Sequence, residues 1–429
     1  MNFSDSEIVV SILKEHNYLP SQDIQTADII FINTCSIREN AEERVRKRLQ
    51  YFRSLKKKRP GLVIGLLGCM AERTKVALME EEQLLDLIAG PDSYRDLPRL
   101  LEQVRSGQQA INTILSEEET YADITPVRLD SNKVSAFISI MRGCENYCSY
   151  CVVPSTRGKE RSRNALSILR ETADLFQNGY REVTLLGQNV NSYDWKAPEG
   201  NINFANLLGK VASINPEIRI RFATSHPKDI SDELLNVISH FPNICKAIHL
   251  PVQSGSNHML DKMNRKYTRE DYMERIESIR RIIPGCAVST DIITGFCDET
   301  EEDHQETLSL MEWVGFDYAF MFKYSERPQT LAAESLTDNV PAETKERRLR
   351  EIIDLQQRLS YQSNKNDIGK TFEVLIEGTS KRSKNHYFGR NSQNKVVIFP
   401  KTEINPGHSI QVKIVRFTSA TLIGEPVYG

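Results

Sequence analysis

The sequence predicts an α/β protein in three parts. These are an N-terminal doubly wound parallel sheet missing its first strand, a central (β/α)6 partial barrel, and a small C-terminal antiparallel β-barrel. Three observations predict this. Strand-like and helix-like segments alternate through the first 115 residues, and six strand-then-helix units follow between Val134 and Ser363. From Thr371 onward, apolar and polar residues alternate between Gly and Asn turns.

Composition sets the frame. A chain of 429 residues, 39% hydrophobic and 26% charged, has room for two or three domains and a substantial core. The longest markedly apolar stretch, Leu62 to Ala71, is too short for the roughly 20 residues of a membrane span. Met-Asn-Phe-Ser-Asp-Ser-Glu carries no basic region followed by an apolar one, so no signal peptide is read and a cytoplasmic location is expected. Eight cysteines in a chain of this size argue against a disulfide framework.

Taken in order, Ser4-Asp5-Ser6-Glu7 is a capping-box pattern that opens an amphipathic helix through Lys14. Ala27 to Asn33 reads as a buried strand, followed by a charged helix to about Lys58, and Leu62 to Gly68 as a second strand followed by a helix. Cys35 and Cys69 fall just past the C-terminal ends of these two strands, where doubly wound sheets place ligands. A parallel unit would normally begin with a strand before the first helix, and none is present. A polar connector spans about 112–132. Barrel strands are expected near 136–141, 182–186, 218–223, 245–250, 287–293 and 318–322, with helices near 164–179, 204–213, 231–240, 268–282, 300–315 and 342–363. The loops after these strands hold the polar clusters, on the rim where such barrels carry chemistry. The terminal strands are placed at 371–377, 395–399, 409–416 and 421–424. The domain limits read as 1–115, a connector at 112–132, 133–366 and 367–429.

Three cysteines, Cys144, Cys148 and Cys151, lie in one short loop, and the next, Cys245, is far along the chain. Three thiolates hold a four-iron cluster with one iron left open, whereas four close the cube for electron transfer. Structural zinc is the rival reading, but it usually takes two ligand pairs, and no second Cys or His pair is near. Unliganded cysteines are the third. The net charge of −3 does not advertise nucleic-acid binding, yet basic runs occur locally. Arg44 to Arg59 is one; Arg157, Lys159, Arg161 and Arg163 form a second beside the cysteine loop, and Lys381, Arg382 and Lys384 a third. Each alone would be an ordinary solvated face.

Cys-x3-Cys-x2-Cys with Tyr150 before the third cysteine resembles the radical S-adenosylmethionine superfamily. Asn33-Thr34-Cys35, Gly68-Cys69-Met70, Pro154-x-Thr156-Arg157-Gly158 and Leu250-Pro251-Val252-Gln253-Ser254-Gly255-Ser256 narrow the resemblance to methylthiotransferases, over essentially the whole chain. Gln188-Asn189-Val190-Asn191-Ser192-Tyr193 and Thr224-Ser225-His226-Pro227 resemble the MiaB type. The resemblance implies a sulfur-donor cluster domain, a radical domain and a TRAM domain. It implies methylthiolation at C2 of N6-isopentenyladenosine next to the anticodon, with two [4Fe-4S] clusters and S-adenosylmethionine as cofactors. The open iron of the first cluster, on Cys144, Cys148 and Cys151, would chelate S-adenosylmethionine, whose one-electron cleavage gives a deoxyadenosyl radical. Tyr150, Gln188, Ser225 and Gln253 would contact that cofactor, and Cys35 and Cys69 would hold the auxiliary cluster that supplies sulfur. Arg157, Lys159, Arg161, Arg163, Lys381, Arg382 and Lys384 would hold the tRNA anticodon stem-loop. A flavodoxin- or ferredoxin-like electron donor is expected, with no membrane partner and a monomeric chain. The sister enzymes acting on threonylcarbamoyl-adenosine or a ribosomal-protein aspartate are the nearest alternative, and a non-catalytic RNA-binding metal protein is the distant one.

Two departures from the family stand out. Gly295-Phe296-Cys297-Asp298-Glu299 replaces the family's Gly-Phe-Pro-Gly-Glu, and Cys245, Cys286 and Cys297 read as packed thiols. The family's auxiliary cluster uses three cysteines, the first in a Cys-x-Met-Asn sequence, and Met1-Asn2 matches only the end of it. The expectation is that the natural protein extends upstream, to a first strand and a third ligand. An in-frame stop in the coding DNA, with no Cys codon between it and Met1, would sink this idea.

Overall fold

A computed structural model describes residues 1–34, 39–82, 84–130, 132–198 and 200–428. The chain divides into two compact units. The first comprises 1–129, 141–163 and 327–330, the second 130–140, 164–326 and 331–429.

The first unit begins with α1 (Asn2–Glu15), β1 (Ile29–Asn33), α2 (Glu39–Lys58), β2 (Val63–Leu67), α3 (Cys69–Glu82), β3 (Leu87–Ala89), α4 (Leu97–Arg105) and β4 (Ala110–Asn112). The strands form one parallel sheet in the order β1-β2-β3-β4. Side chains alternate across a strand, and β2 shows the result. Ile64 and Leu66 pack with Leu49 and Phe52 of α2 and Met70 of α3. On the other face, Leu67 packs with Ile8 and Ile12 of α1 and Leu97 and Leu100 of α4. Helices on both faces make the sheet doubly wound. The strands β3 and β4, each three residues long, were too short to stand out as apolar runs.

The expected capping box is corrected. Helix α1 starts at Asn2 with no side-chain cap, and Ser4, Asp5 and Glu7 are buried. Asp5 pairs with Arg142, and Glu7 with Arg128 and the Leu129 amide, so distant arginines rather than helix-end amides take up the charge. The polar connector is also tied down within this unit. Tyr121 is buried, stacks on Tyr94 and donates to the Pro91 carbonyl.

The chain then contributes β5 (Ser135–Ser139) to the second unit and returns to the first with β6 (Met141–Arg142), α5 (Val153–Arg157) and β7 (Arg161–Ser162). The second unit continues with α6 (Ala165–Gln177), β8 (Glu182–Leu186), a hairpin β9 (Asp194–Ala197) and β10 (Gly200–Asn203), α7 (Phe204–Ala212), β11 (Arg219–Ala223), α8 (Asp232–His240) and β12 (Ala247–His249). It goes on through α9 (Asn257–Lys262), α10 (Arg269–Ile282), β13 (Ala287–Thr294), α11 (Glu301–Val314), β14 (Tyr318–Lys323), α12 (Leu331–Ser335) and α13 (Ala342–Lys365). Strands β5, β8 and β11 are neighbours and parallel, as are β12, β13 and β14. A parallel bridge between Ile220 and Ile244 joins the two sets into six strands in chain order. Helix starts follow from sequence: Asn164 caps α6, and Thr268 with Asp271 and Thr300 with Asp303 form capping boxes on α10 and α11.

The last element is a closed barrel of β15 (Thr371–Thr379), β16 (His386–Arg390), β17 (Val396–Pro400), β18 (Ser409–Phe417) and β19 (Leu422–Pro426), ordered β15-β16-β17-β19-β18. The expectation of an antiparallel barrel needs one correction, because β17 and β19 pair parallel. A closed ring with an odd number of strands must contain at least one parallel pair. Within this unit, the β16–β17 turn lies across the N-terminal ends of the six-strand sheet. Arg219 donates to the Arg390 carbonyl at 2.9 Å, Arg221 to the Asn391 carbonyl at 2.8 Å, and Ser392 Oγ accepts from the Lys246 amide at 2.8 Å. Arg221 also pairs with Glu182 at 2.8 Å.

Candidate cluster loop and strand-end site

Antiparallel pairing of Met141–Arg142 with Arg161–Ser162 ties off the segment that carries Cys144, Cys148 and Cys151. The Cys144 amide donates to the Gly158 carbonyl at 3.2 Å, the Cys151 amide to the Cys148 carbonyl at 3.0 Å, and Asn146 Nδ2 to Cys144 Sγ at 3.5 Å. All three thiols are unbridged. Burial pushes the Cys144 thiol up to about 11. Backbone shape matters here as much as the thiols. Gly143 has φ +78°, and an added Cβ would collide with the Lys159 carbonyl oxygen. Gly143→Ala is therefore expected to destabilise the loop by more than about 2 kcal/mol, read as loss of iron–sulfur absorbance per chain. Gly107→Ala is the control, since Gly107 has φ +86° with open space around it.

Helix α5 begins two residues after Cys151, and its last residue, Arg157, turns inward. Arg157 Nε donates to Cys69 Sγ at 3.1 Å and Nη2 to Asp5 Oδ2 at 2.7 Å. Asp5 Oδ1 accepts from Arg142 at 2.9 Å, and Asp92 takes both terminal nitrogens of Arg161 at 2.8 and 3.2 Å. Two carboxylates and three arginines thus form a buried lattice beneath the cysteine loop and against Cys69. Burial alone would raise the Asp5 carboxyl, but the Arg142 and Arg157 charges outweigh it and hold it at about 2.

Cys69 stands where the sequence placed it, just past β2 and at the first position of α3. Gly68, with φ +85°, makes the turn, and the helix N-terminus favours a thiolate there. One turn on, Glu72 is buried, and burial pushes its carboxyl up to about 7. Cys35 lies outside the described residues.

The basic residues after the cysteine loop need correcting as exposed phosphate contacts. Arg157, Arg161 and Arg163 are buried, and the first two are committed to Asp5, Asp92 and Cys69; only Lys159 is exposed, beside Glu117. The reason is electrostatic. Asp5 and Asp92 sit inside the fold and draw guanidinium groups to them, a pairing that local sequence does not announce. Lys381, Arg382 and Lys384 are exposed on the turn between β15 and β16.

In the second unit, the other expected residues gather at the C-terminal ends of β8, β11 and β12. Gln188 Oε1, Ser225 Oγ and Gln253 Oε1 are buried without a hydrogen-bond partner, as are Asn189 Oδ1 and His226 Nε2 nearby in sequence. Buried polar atoms without partners are costly, so such a set marks a surface shaped for a polar ligand. Thr224 and Gln253 hold φ of +75° and +74°, strain typical of functional sites. The Gln253 backbone is locked at both ends, to the Asp291 carbonyl and the Ile293 amide, each at 2.9 Å. His226 was missed as a site residue. Burial, then Arg265 and Lys228, lower it to about 2, and Nδ1 accepts from the Lys228 amide, leaving Nε2 as the donor.

The divergent turn after β13 is stable as built. Glu299 accepts from the Gly295 amide at 2.7 Å and from Arg348 at 2.7 Å. Cys245 and Cys297 are buried, and Cys286 donates to its neighbour's carbonyl. Tyr150 is half-buried in the cysteine loop. Among the described residues, no helix is long and apolar enough to cross a membrane.

A model of the radical SAM superfamily matches residues 138–311, one of the uncharacterized protein family UPF0004 matches 1–90, and one of the TRAM domain matches 365–427. A tRNA-2-methylthio-N(6)-dimethylallyladenosine synthase of Amoebophilus asiaticus is 58% identical over 437 residues, covering 99% of this chain and 90% of the relative. One of Parabacteroides distasonis is 58% identical over 427 residues, covering 100% of this chain and 93% of the relative. Among solved structures, the radical S-adenosylmethionine methyltransferase TsrM of Kitasatospora setae matches with a TM-score of 0.58 at 14% identity, over 77% of this chain and 72% of that one. That likeness concerns the fold alone. Near-complete coverage at high identity, three matching domain families and an unbridged three-cysteine loop place this chain in the MiaB-type branch of the radical S-adenosylmethionine methylthiotransferase family.

Proposed function

We propose that the chain performs the reaction for which its 58%-identical relatives are named, adding a methylthio group at C2 of N6-isopentenyladenosine beside the anticodon of tRNA. The observation that carries this reading is the unbridged Cys144–Cys148–Cys151 loop in a chain whose strand ends present unpartnered buried polar atoms. Cys144, Cys148 and Cys151 would hold a [4Fe-4S] cluster, and Gln188, Ser225 and Gln253, with Tyr150, would hold S-adenosylmethionine. When bound, these groups supply one-electron radical chemistry able to remove an unactivated hydrogen.

The side chains do the positioning. Strand ends locked at Gln253 present fixed hydrogen-bonding atoms, which favours one orientation of a bound ligand. Cys69, with Cys35, would ligate the sulfur-donating second cluster, and Arg157 would steady Cys69 through its Nε–H. The exposed cations Lys381, Arg382 and Lys384, with Lys159 beside Glu117, would meet RNA phosphates. The target base belongs to a single-stranded loop, where an enzyme can reach it. A flavodoxin- or ferredoxin-like donor, a monomeric chain and a cytoplasmic location complete the reading.

The test is mass spectrometry of tRNA nucleosides from a strain lacking the gene. The expected result is loss of 2-methylthio-N6-isopentenyladenosine, with N6-isopentenyladenosine accumulating. An unchanged level of the methylthio nucleoside would refute the assignment.

A further inference from the structure

Helix α2 carries a basic run that no step of the proposed reaction uses. Its core stripe, Val45, Leu49, Phe52 and Leu55, is buried against the sheet. Two cations of the run are structural. Lys56 turns back to pair with Asp86, and Arg59, just past the helix, donates to the Gln25 and Ala27 carbonyls. The others face outward. Arg44, Tyr51 and Lys58 recur at seven-residue spacing and form one exposed row, with Lys47 and Arg48 beside it. Arg46, Arg53 and Lys57 form a second exposed row. Arg44, Lys47, Lys57 and Lys58 make no ion pair with a described residue. Glu43 is the single carboxylate between residues 43 and 58, in a chain whose net charge is −3. Strands β1 and β2 are parallel, so Cys69, just past β2, marks the edge of the sheet from which α2 returns. Arg44 lies toward that edge, and Lys58 lies about 21 Å further along the helix axis, toward the opposite edge.

We propose that this outer face of α2 is a second RNA-binding surface, holding the phosphate backbone of tRNA outside the anticodon stem-loop. The proposal rests on the tRNA reading above. Protein surfaces ordinarily interleave charges of both signs, and a cationic face without carboxylates repels itself until a polyanion answers it. A face about 21 Å long spans several successive phosphates of a strand. A membrane surface is disfavoured, because the apolar stripe of α2 is spent in the core and leaves nothing to insert. A protein partner is disfavoured too, since stable protein interfaces are built on buried apolar or aromatic anchors. Tyr51 is the one large ring exposed on this face; Arg48 stands 5.8 Å from its centroid and Gln25 donates to its hydroxyl at 2.9 Å. Position then selects the part of the RNA. The cysteine loop and Cys69 are joined through Arg157 at the strand-end edge, while Lys57 and Lys58 lie toward the other edge and so face RNA remote from the target base.

The test measures binding of the full chain to full-length tRNA and to the isolated anticodon stem-loop over a range of salt concentrations. The unaltered protein should bind full-length tRNA about tenfold more tightly than the stem-loop, with a steeper salt dependence. The triple variant Arg44→Gln, Lys47→Gln, Lys58→Gln removes three exposed charges and keeps good helix formers. Its affinity for full-length tRNA should fall about tenfold and its salt slope by about two to three, close to one per lost phosphate contact. Its affinity for the stem-loop should stay within about twofold of the unaltered value, because phosphate contacts elsewhere persist. Circular dichroism checks that the variant is folded. Equal affinity of the unaltered protein for the two RNAs, or a tRNA affinity and salt slope unchanged in the folded variant, would overturn the proposal while leaving the tRNA reading intact. Equal losses on both RNAs would assign the face to the stem-loop and overturn it too. Unchanged tRNA affinity with impaired reduction by an acidic flavodoxin-like protein would give the face to a protein partner instead. Failure of the unaltered protein to bind either RNA would overturn the tRNA reading as well.

Discussion

Cys148→Ala is expected to abolish tRNA methylthiolation, with activity falling more than about 100-fold, since losing even an outer-shell partner of a metal ligand costs 10–100-fold. In the proposed site, three thiolates from one short loop would chelate three irons, and two would not hold the cluster against dissociation. Iron and acid-labile sulfide per chain should fall with activity, and the charge-transfer absorbance of the cluster should disappear. Cys286→Ala is the matched comparison. Its thiol is held at about 12 by burial and donates to the Ala287 carbonyl, so the substitution should leave iron content unchanged. Equal losses of iron in both variants would remove the special status of the Cys144–Cys148–Cys151 loop.

Asp5→Asn is expected to lower unfolding stability by about 3–5 kcal/mol, because it strips the shared partner from two buried cations. Arg142 and Arg157 are 1% and 3% exposed, and each makes a hydrogen bond below 3 Å to Asp5. The pH dependence has a definite sign. The Asp5 carboxyl sits at about 2 in the fold against an ordinary 3.8. A depressed carboxyl contributes stability above its unfolded value and loses it as pH falls through the folded value. That difference corresponds to about 2.5 kcal/mol, lost between about pH 4 and pH 2. Denaturant midpoints measured across that window should show this loss in the native chain and a shallower one in Asp5→Asn. Identical slopes would mean that the lattice carries no net stability. Because Arg157 also donates to Cys69, the variant should disturb the Cys69 site more than the strand ends of the second unit.

Much of the fold was legible because its elements are long and strongly patterned. The six barrel strands and their following helices fall close to the positions read from periodicity, with β8 at Glu182–Leu186 in both. What was missed is short or local in origin. Strands β3, β4 and β16 span three to five residues, and the β9–β10 hairpin sits between stronger signals. The closed C-terminal barrel needed its fifth strand, β16, before the parallel β17–β19 pairing could be foreseen.

The chemistry-bearing residues divide along a similar line. Cys144, Cys148 and Cys151 are neighbours in sequence, so spacing alone singles out their loop, whereas Gln188, Ser225 and Gln253, which lie within four residues after strands, were suggested by the family resemblance. Arg157, Arg161 and Arg163 carried the same local signal as Lys159, yet the fold treats them differently. Whether a cation faces solvent depends on where its counter-charges lie, and Asp5 and Asp92 are far away in sequence. By itself, the sequence determined the class of fold, the three-cysteine loop and the rim on which the polar residues gather, because periodicity and spacing act over a few residues. Tertiary structure alone decided which arginines turn inward and how Cys69 is held, because burial and ion pairing are set by groups 69 to 152 residues apart.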